Sequence, residues 1–376
     1  MSKKNKTVFA AMSGGVDSSV AAALMKKAGF SVVGVFMKPW SPTTVSSDCL
    51  WKEDREDALR VAAKLDIPFL TWDLSKEYEK HVARYMIEGY KKGITPNPDV
   101  MCNKFIKFGV FLEKALKLGA DYIATGHYVR LNTASESARR TTPARLDYKL
   151  LKAKDLNKDQ SYFLYNLTQE QLKYCLFPIG DWTKNEVRKM AKKFGLLNWD
   201  KKDSQGVCFV GPLRVVEFLK KYIKPKRGLV LRRNNGKILG EHDGVWFYTI
   251  GQRHGFNLAV GEPHYVVGKD IRKNILYVDR GPSMRSIGTS TSKFKSQNYD
   301  SKLKITEFNL INGHKKLPLN CKVKTRYRQR DLNCTILENG SDKALIEIKE
   351  KNIPIAPGQA AVFYKGEEML GGGIIS

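Results

Sequence analysis

The sequence predicts an α/β protein: an N-terminal doubly wound parallel sheet of Rossmann-like type, then a small central domain, then a C-terminal antiparallel β-barrel. Three observations carry this. Between Val8 and Gly126, short apolar runs alternate with segments of helical period, and such alternation implies parallel strands covered on both faces. From about Gly228 the character changes to short strand-like runs separated by glycine turns, as in a small antiparallel barrel. The length of 376 residues exceeds one ordinary core and implies two or three domains. Their expected bounds are 1–212, 213–284 and 285–376.

The elements follow in order. Val8–Met12 reads as a strand, Ser18–Lys27 as a helix stopped by Gly29, and Val32–Met37 as a second strand. Glu53–Leu65 has Leu59, Ala62, Ala63 and Leu65 on its apolar side, which is helical spacing. Pro68 precedes a third strand, Phe69–Asp73. Glu77–Tyr90 and Val100–Leu118 read as helices and Tyr122–Gly126 as a strand. The stretch Thr133–Tyr148, rich in Ser, Thr, Ala and Arg without an apolar period, reads as a surface loop. Lys184–Phe194 and Leu213–Tyr222 are amphipathic helices. The runs RGLVL, GKILGEH, VWFYTIGQ, HYVVGKD and ILYVDRG then read as strands, and Ser301–Ser376 as further strands with turns at Asn312-Gly313, Asn339-Gly340 and Pro357-Gly358. No internal repeat is found.

Composition narrows the partner. There are 65 Lys and Arg against 38 Asp and Glu, a formal net charge of +27. A polyanion is the natural counterpart, because cations displace the counterions condensed on phosphates. No apolar run approaches the roughly 20 residues that span a bilayer, so no membrane partner is expected. The basic start Met1–Lys6 precedes an apolar run too short for a signal peptide, and the chain reads as cytoplasmic. Six cysteines stand at 49, 102, 175, 208, 321 and 334, none in a CxxC pair, which argues against a zinc knuckle.

The string SGGVDS, Ser13–Ser18, lies between the first strand and the first helix. Glycines let successive backbone N–H groups converge on one concavity, and the helix N-terminus adds positive potential. The site suits a pyrophosphate, with Asp17 and Ser18 placed to hold magnesium and a phosphate oxygen. The GxxxxGK[ST] and GxGxxG patterns are both missing, so it is neither a Walker loop nor a dinucleotide fingerprint. The string resembles the PP-loop of ATP pyrophosphatases, which adenylate a substrate and release pyrophosphate.

Other strings choose within that superfamily. TPNPDVMCNKFIKFG (Thr95–Gly109) places Cys102 in the first turn of a helix, where the dipole favours a thiolate. DSQGVCFVG (Asp203–Gly211) carries Cys208, LNKDQSYFLYNL (Leu156–Leu167) presents Lys-Asp-Gln before an aromatic run, and GHY (Gly126–Tyr128) ends a strand. Each of the two cysteines alone would read as a core residue. Together with the loop, these strings resemble the tRNA-specific 2-thiouridylases, from about Val8 to PGQAAVFY (Pro357–Tyr364). Ala11 stands where many relatives have glycine, and the loop at Thr133–Tyr148 is longer than usual.

The resemblance implies 2-thiolation of the wobble uridine in tRNAs for Lys, Glu and Gln, with ATP and Mg2+ as cofactors and a persulfide donor protein as partner. A monomer is expected, although neither the residues nor the resemblance names the oligomeric state. Cys102 corresponds to the nucleophile, Cys208 to the persulfide carrier and Asp99 to the acid–base residue. ATP would lie against Ala11, Met12, Ser13, Gly14, Gly15, Val16, Asp17 and Ser18, with Met37 and Gly126 beside the adenosine and magnesium on Asp17. The tRNA would meet Asn97, Pro98, Asp99, His127, Lys158, Asp159, Gln160, Arg326, Tyr327 and Gln359.

KVKTRYRQR sets Lys322, Lys324, Arg326, Arg328 and Arg330 at alternate positions. On a strand these share one face, an expected phosphate-binding strip. Two alternatives remain at this stage: a synthetase acting on a small metabolite, against which the cysteine pair and the basic strip argue, and a non-catalytic RNA binder, against which the intact Ser13–Ser18 loop argues.

Overall fold

A computed structural model describes residues 6–40, 50–133, 148–202, 215–253, 255–256, 263–280, 301–313, 316–340, 342–350 and 353–376. The expected persulfide carrier Cys208 and its whole string Asp203–Gly211 lie outside the described residues, as does Cys49.

The N-terminal sheet is five parallel strands in the order Phe69–Asp73, Ser31–Lys38, Thr7–Ala11, Tyr122–Ala124, Cys175–Leu176. Thr7–Ala11 is central, and all but its first residue are buried, which is why it reads as a continuous apolar run. The chain leaves it towards Ser31–Lys38 on one side and reaches Tyr122–Ala124 on the other. This reversal of strand order opens a crevice beyond the carboxyl end of Ala11, where open α/β sheets bind ligands. Helix Val16–Lys27 packs on one face with Leu50–Lys64, whose Ala58, Val61 and Ala62 are buried against Val8, Ala10 and Phe36. The other face carries the helices at 75–91 and 98–117. Both contain π-helical stretches, Glu79–Ala83 and Cys102–Phe111. Such widened turns concentrate at functional positions.

The central unit is a four-stranded sheet in the order His264–Asp270, Ile275–Arg280, Gly228–Arg232, Ile238–His242. Its core of Phe218, Val230, Val266 and Leu276 is shared with Met86 and Ile87 of the helix Arg84–Lys91. The run VWFYTIGQ is not the expected strand. Val245–Phe247 forms one 3-10 turn. The Val245 N–H is taken by the Asn274 side chain at 3.0 Å, and the preceding Gly244 has φ 142°.

Six strands close the C-terminal barrel: Lys302–Leu310, Lys343–Ile348, Leu332–Asn339, Leu319–Lys324, Ala360–Lys365 and Glu368–Ile375, the last pairing back to the first. Closure removes exposed edges. Ile305, Val323, Leu332, Ile336, Ile346 and Phe363 fill it, each such side chain contributing roughly 1.5–3 kcal/mol on burial. The strands Val129–Thr133 and Tyr148–Lys152 pair with each other and extend this sheet, Leu151 opposite Glu368. The segment read as a surface loop is therefore flanked by a hairpin that joins the first unit to the barrel.

The basic strip does not form on one strand face. The strand ends at Lys324, because the Gln329 side chain accepts from the Thr325 N–H (2.8 Å) and hydroxyl (2.9 Å) and Arg328 takes φ 60°. Lys324 is turned inward, 3.7 Å from Asp331 and 3.8 Å from Asp159. Arg328 and Arg330 are exposed. No helix among the described residues is long and apolar enough to cross a membrane.

Candidate active site at the strand switch

After Ala11 the chain continues its sheet register once more, the Met12 N–H donating to Val35 at 2.8 Å, and then turns. Gly14 has φ 75°, and a Cβ there would lie 2.1 Å from the Asp54 carbonyl oxygen. Only glycine satisfies both demands. Gly15 is the N-cap of the helix, and no side chain caps it. The loop is tied by its own serines instead. The Ser13 N–H donates to Ser18 Oγ at 3.1 Å, and both Ser18 Oγ (3.1 Å) and Ser19 Oγ (2.9 Å) donate to the Gly15 carbonyl. An uncapped first turn of a helix is a ready anion site. Gly126 closes the crevice from the next strand. A Cβ there would lie 2.6 Å from the Ser18 nitrogen, so the two backbones touch.

Asp17 has partners that sequence reasoning missed. Lys184 Nζ lies 2.7 Å from its Oδ1 and 2.9 Å from its Oδ2, and the Tyr128 hydroxyl donates to Oδ1 at 2.8 Å. Tyr128 is itself fixed by Gln160. The Tyr128 N–H donates to Gln160 Oε1, and the Gln160 N–H to the Tyr128 carbonyl, each at 2.9 Å. Asp159 also faces inward, accepting from the N–H groups of Ala153 (3.1 Å) and Ser161 (3.2 Å) and the Ser161 hydroxyl (3.0 Å). Of the Lys-Asp-Gln string expected to meet RNA, Gln160 supports the loop through Tyr128 and Asp17, and Asp159 holds the Ala153–Ser161 turn. Lys158 is half-buried.

The loop fits the triphosphate of ATP: its first helical turn is uncapped and its backbone is glycine-shaped, with the Lys184–Asp17 ion pair beside it. Ala11, Met12, Val16 and Met37 are buried, so only their backbones could serve the nucleotide. The described side chains do not make a magnesium site of their own. Both Asp17 oxygens are bonded to Lys184, and no cluster of three His, Cys, Asp or Glu exists among the described residues.

The second wall is the helix at 98–117. Asn97 caps it, its Oδ1 accepting from the Val100 N–H at 3.3 Å, with Pro98 in the first turn. Asp99 is half-buried there. Cys102 is wholly buried among Val100, Met101 and Ile106, rather than presented at the surface. His127 stands nearby. Its Nδ1 is 2.8 Å from Thr125 Oγ1 and its Nε2 is 3.4 Å from Lys107 Nζ. A lysine only donates, so Nε2 accepts and the ring proton sits on Nδ1. Burial, reinforced by the Lys107 charge, holds its pKa well below the ordinary histidine value, and His127 is neutral.

The remaining expected tRNA contacts gather where the three units meet. The Gln359 amide donates to the Thr95 carbonyl at 2.8 Å, just before Asn97. Arg326 donates to the Ile250 carbonyl of the central unit. Tyr327 packs on Phe163, centroids 4.5 Å apart, under the Arg328 guanidinium. Of the other cysteines, Cys175 has its thiol pKa pushed up by burial, and Cys321 faces Cys334 across two strands inside the barrel.

Comparison with known proteins agrees along the chain. Three family descriptions match in succession: "tRNA methyl transferase HUP domain" over residues 6–212, "tRNA methyl transferase PRC-barrel domain" over 216–280 and "Aminomethyltransferase beta-barrel domain" over 300–375. The chain is 46% identical to the tRNA-specific 2-thiouridylase MnmA of Bacillus licheniformis, covering 98% of this chain and 94% of the relative. It is 44% identical to MnmA 2 of Geobacillus kaustophilus, with the same coverage. It is 43% identical to the MnmA of Listeria monocytogenes, again over 98% and 94%. Among solved structures, a 4-thiouridine synthetase–RNA complex with bound ATP has 18% identity and a TM-score of 0.33, covering 57% of this chain and 50% of that one. That likeness is too distant to carry an argument.

Proposed function

The chain belongs to the tRNA-specific 2-thiouridylase family, and from that premise we propose that it replaces the C2 oxygen of a wobble uridine with sulfur in tRNAs for Lys, Glu and Gln. The observation that supports this best is the uncapped glycine turn at Gly14–Gly15 in the strand-switch crevice, within a chain alike to 2-thiouridylases along nearly its whole length.

The uridine C2 oxygen is a poor leaving group. Its attack on the α-phosphate of ATP forms a new P–O bond and breaks the α–β bridge, and pyrophosphate leaves into the N–H groups of the Ser13–Ser18 turn. Preorganised dipoles aimed at developing charge are worth several kcal/mol in such a step, roughly 2.7–4 per donor. The terminal sulfur of a Cys208 persulfide then attacks C2. The Cys102 thiolate attacks Cys208 Sγ, the S–S bond breaks towards the transferred sulfur, and AMP departs. Cys102 and Cys208 finish as a disulfide that an external thiol reduces. Asp99 takes and returns the proton. A donor protein of persulfide chemistry reloads Cys208.

The uridine must leave its stack to reach such a pocket. Asn97, Pro98, His127, Arg326, Tyr327 and Gln359 line its approach in this reading, and magnesium arrives on the nucleotide rather than on a protein carboxylate. The three domains are assigned as 1–212, 213–284 and 285–376, the first for adenylation and sulfur transfer and the last for tRNA.

The test is nucleoside mass spectrometry after incubation of the protein with transcribed tRNA, ATP, magnesium and a persulfide source. A 2-thiouridine at the wobble position is expected. The word methyl transferase in two family descriptions suggests a second outcome, a methylated nucleoside formed with a methyl donor and without ATP, and that product would overturn the proposal.

A further inference from the structure

We infer that Asn198 is a positioning residue of the phosphate loop, and that it aims the Gly15 N–H at the pyrophosphate. This rests on the reading of Ser13–Ser18 as the pyrophosphate site. Asn198 is buried, and its side-chain amide donates to the Gly14 carbonyl at 2.8 Å and to Ser19 Oγ at 3.0 Å. The Ser19 hydroxyl proton is already directed to the Gly15 carbonyl. Both atoms facing Asn198 therefore accept, which assigns its nitrogen, not its oxygen, to this side.

The geometric consequence follows from the peptide unit. The bond between Gly14 and Gly15 is trans; the one cis bond among the described residues is Leu317-Pro318. In a trans peptide the carbonyl and the next N–H point in opposite directions. Asn198 draws the Gly14 carbonyl back into the protein, so the Gly15 N–H points away from it. At Gly14 the backbone has φ 75°, a region where glycine has little intrinsic preference. Without the amide this peptide is free to rotate its carbonyl towards the ligand, where it would repel phosphate.

Asn198 is rigidly held for this task. The Leu196 N–H donates to Ala191, and the Lys201 N–H to Asn198 itself. Arg188, on the helix Lys184–Lys193, donates to the carbonyls of Trp199 (3.2 Å) and Lys201 (2.9 Å). Lys201 pairs with Asp54 at 2.7 Å and Asp57 at 2.5 Å, and the Asp54 carbonyl is the atom that abuts Gly14. One turn thus grips Gly14 from its carbonyl and from behind. Asn198 Oδ1 is buried with no hydrogen-bond partner among the described residues. An unpaired buried acceptor is costly, so an asparagine at this place is better accounted for by its donor than by stability.

The test uses the full-length protein, with inorganic pyrophosphate, ATP and adenosine as calorimetric probes and thermal unfolding alongside. Loss of an N–H donor to a charged oxygen weakens binding roughly ten- to a hundredfold. Asn198→Ala is expected to weaken pyrophosphate by at least about tenfold, with adenosine affinity unchanged. Asn198→Asp should be weaker still, because a carboxylate repels both the Gly14 carbonyl and the anion. Asn198→Leu removes the unpaired oxygen and retains bulk. It is read the same way should the alanine variant fail to fold. Unchanged pyrophosphate affinity in a folded variant overturns the inference. So does an equal loss for pyrophosphate and adenosine that follows the melting temperature, since that is scaffold damage. A parent protein that binds neither ATP nor pyrophosphate would instead overturn the reading of the site.

Discussion

Asp17 and Lys184, 167 residues apart, form a two-point ion pair in which Lys184 Nζ is 2.7 and 2.9 Å from the two carboxylate oxygens. The Lys184 side chain is 11% exposed and that of Asp17 31%. The pair is more shielded than a surface bridge, and the Tyr128 hydroxyl donates to the carboxylate in addition, which also lies in the first helical turn, where the dipole favours negative charge.

Breaking one partner leaves the other charge poorly solvated. Lys184→Met is expected to lower stability by about 1–2 kcal/mol, discounted for the partial exposure of Asp17, and to weaken ATP. Denaturant unfolding and ATP titration check both. The double variant Asp17→Asn with Lys184→Met should regain part of the stability and none of the ATP affinity. Additive destabilisation would show that the two residues do not act as a pair.

The cysteines should separate the two half-reactions. Cys208→Ser is expected to abolish thiolation while tRNA-dependent pyrophosphate release persists. Cys102→Ser should stop turnover with tRNA affinity retained, since a hydroxyl is a far weaker nucleophile than a thiolate at neutral pH. Radiolabelled pyrophosphate release and nucleoside mass spectrometry read the two steps. Thiouridine from the Cys208 variant would remove that residue from the mechanism.

Basic residues near the barrel should divide by exposure. Arg328 and Arg330 are exposed, whereas Lys324 is spent on Asp159 and Asp331. Each phosphate contact adds about 0.7–0.9 to the slope of log affinity against log salt. Arg328→Ala with Arg330→Ala should flatten the slope for tRNA by roughly one to two units. Lys324→Ala should lower stability and leave the slope alone. An unaltered slope in the double arginine variant would move the RNA surface elsewhere.

His127 predicts a pH dependence. Its folded pKa lies well below 6.5 because of burial and then Lys107. The unfolded chain therefore binds its proton at higher pH than the native one, and stability is lost as pH falls below about 6.5. Stability above that pH is unaffected by this group. Urea unfolding at pH 7.5 and at pH 5.5, in the parent and in His127→Gln, checks the sign. A parent equally stable at both values, or a variant with the full acid loss, would exclude His127 as the cause.

By itself the sequence determined the local elements and the family. The apolar run Val8–Met12 and the Ser-Gly-Gly turn after it are legible because they depend on residues within a few positions of one another. The strand–helix alternation and the glycine-punctuated barrel strands are legible for the same reason. Tertiary structure decided what faces what. Nothing near Asp17 in the chain announces Lys184 or Tyr128, and nothing near Gly14 announces Asn198. The folded sheet brings them together by closing crossings of more than a hundred residues, whose entropic cost grows only slowly with length. Alternation along KVKTRYRQR suggested a single charged face, but the Gln329 side chain competes for the Thr325 N–H and ends the strand at Lys324. Asp159 and Gln160 looked like exposed polar residues. They turn inward because buried backbone N–H groups at Ala153, Ser161 and Tyr128 require acceptors, and a buried donor without a partner costs more than an exposed carboxylate gains.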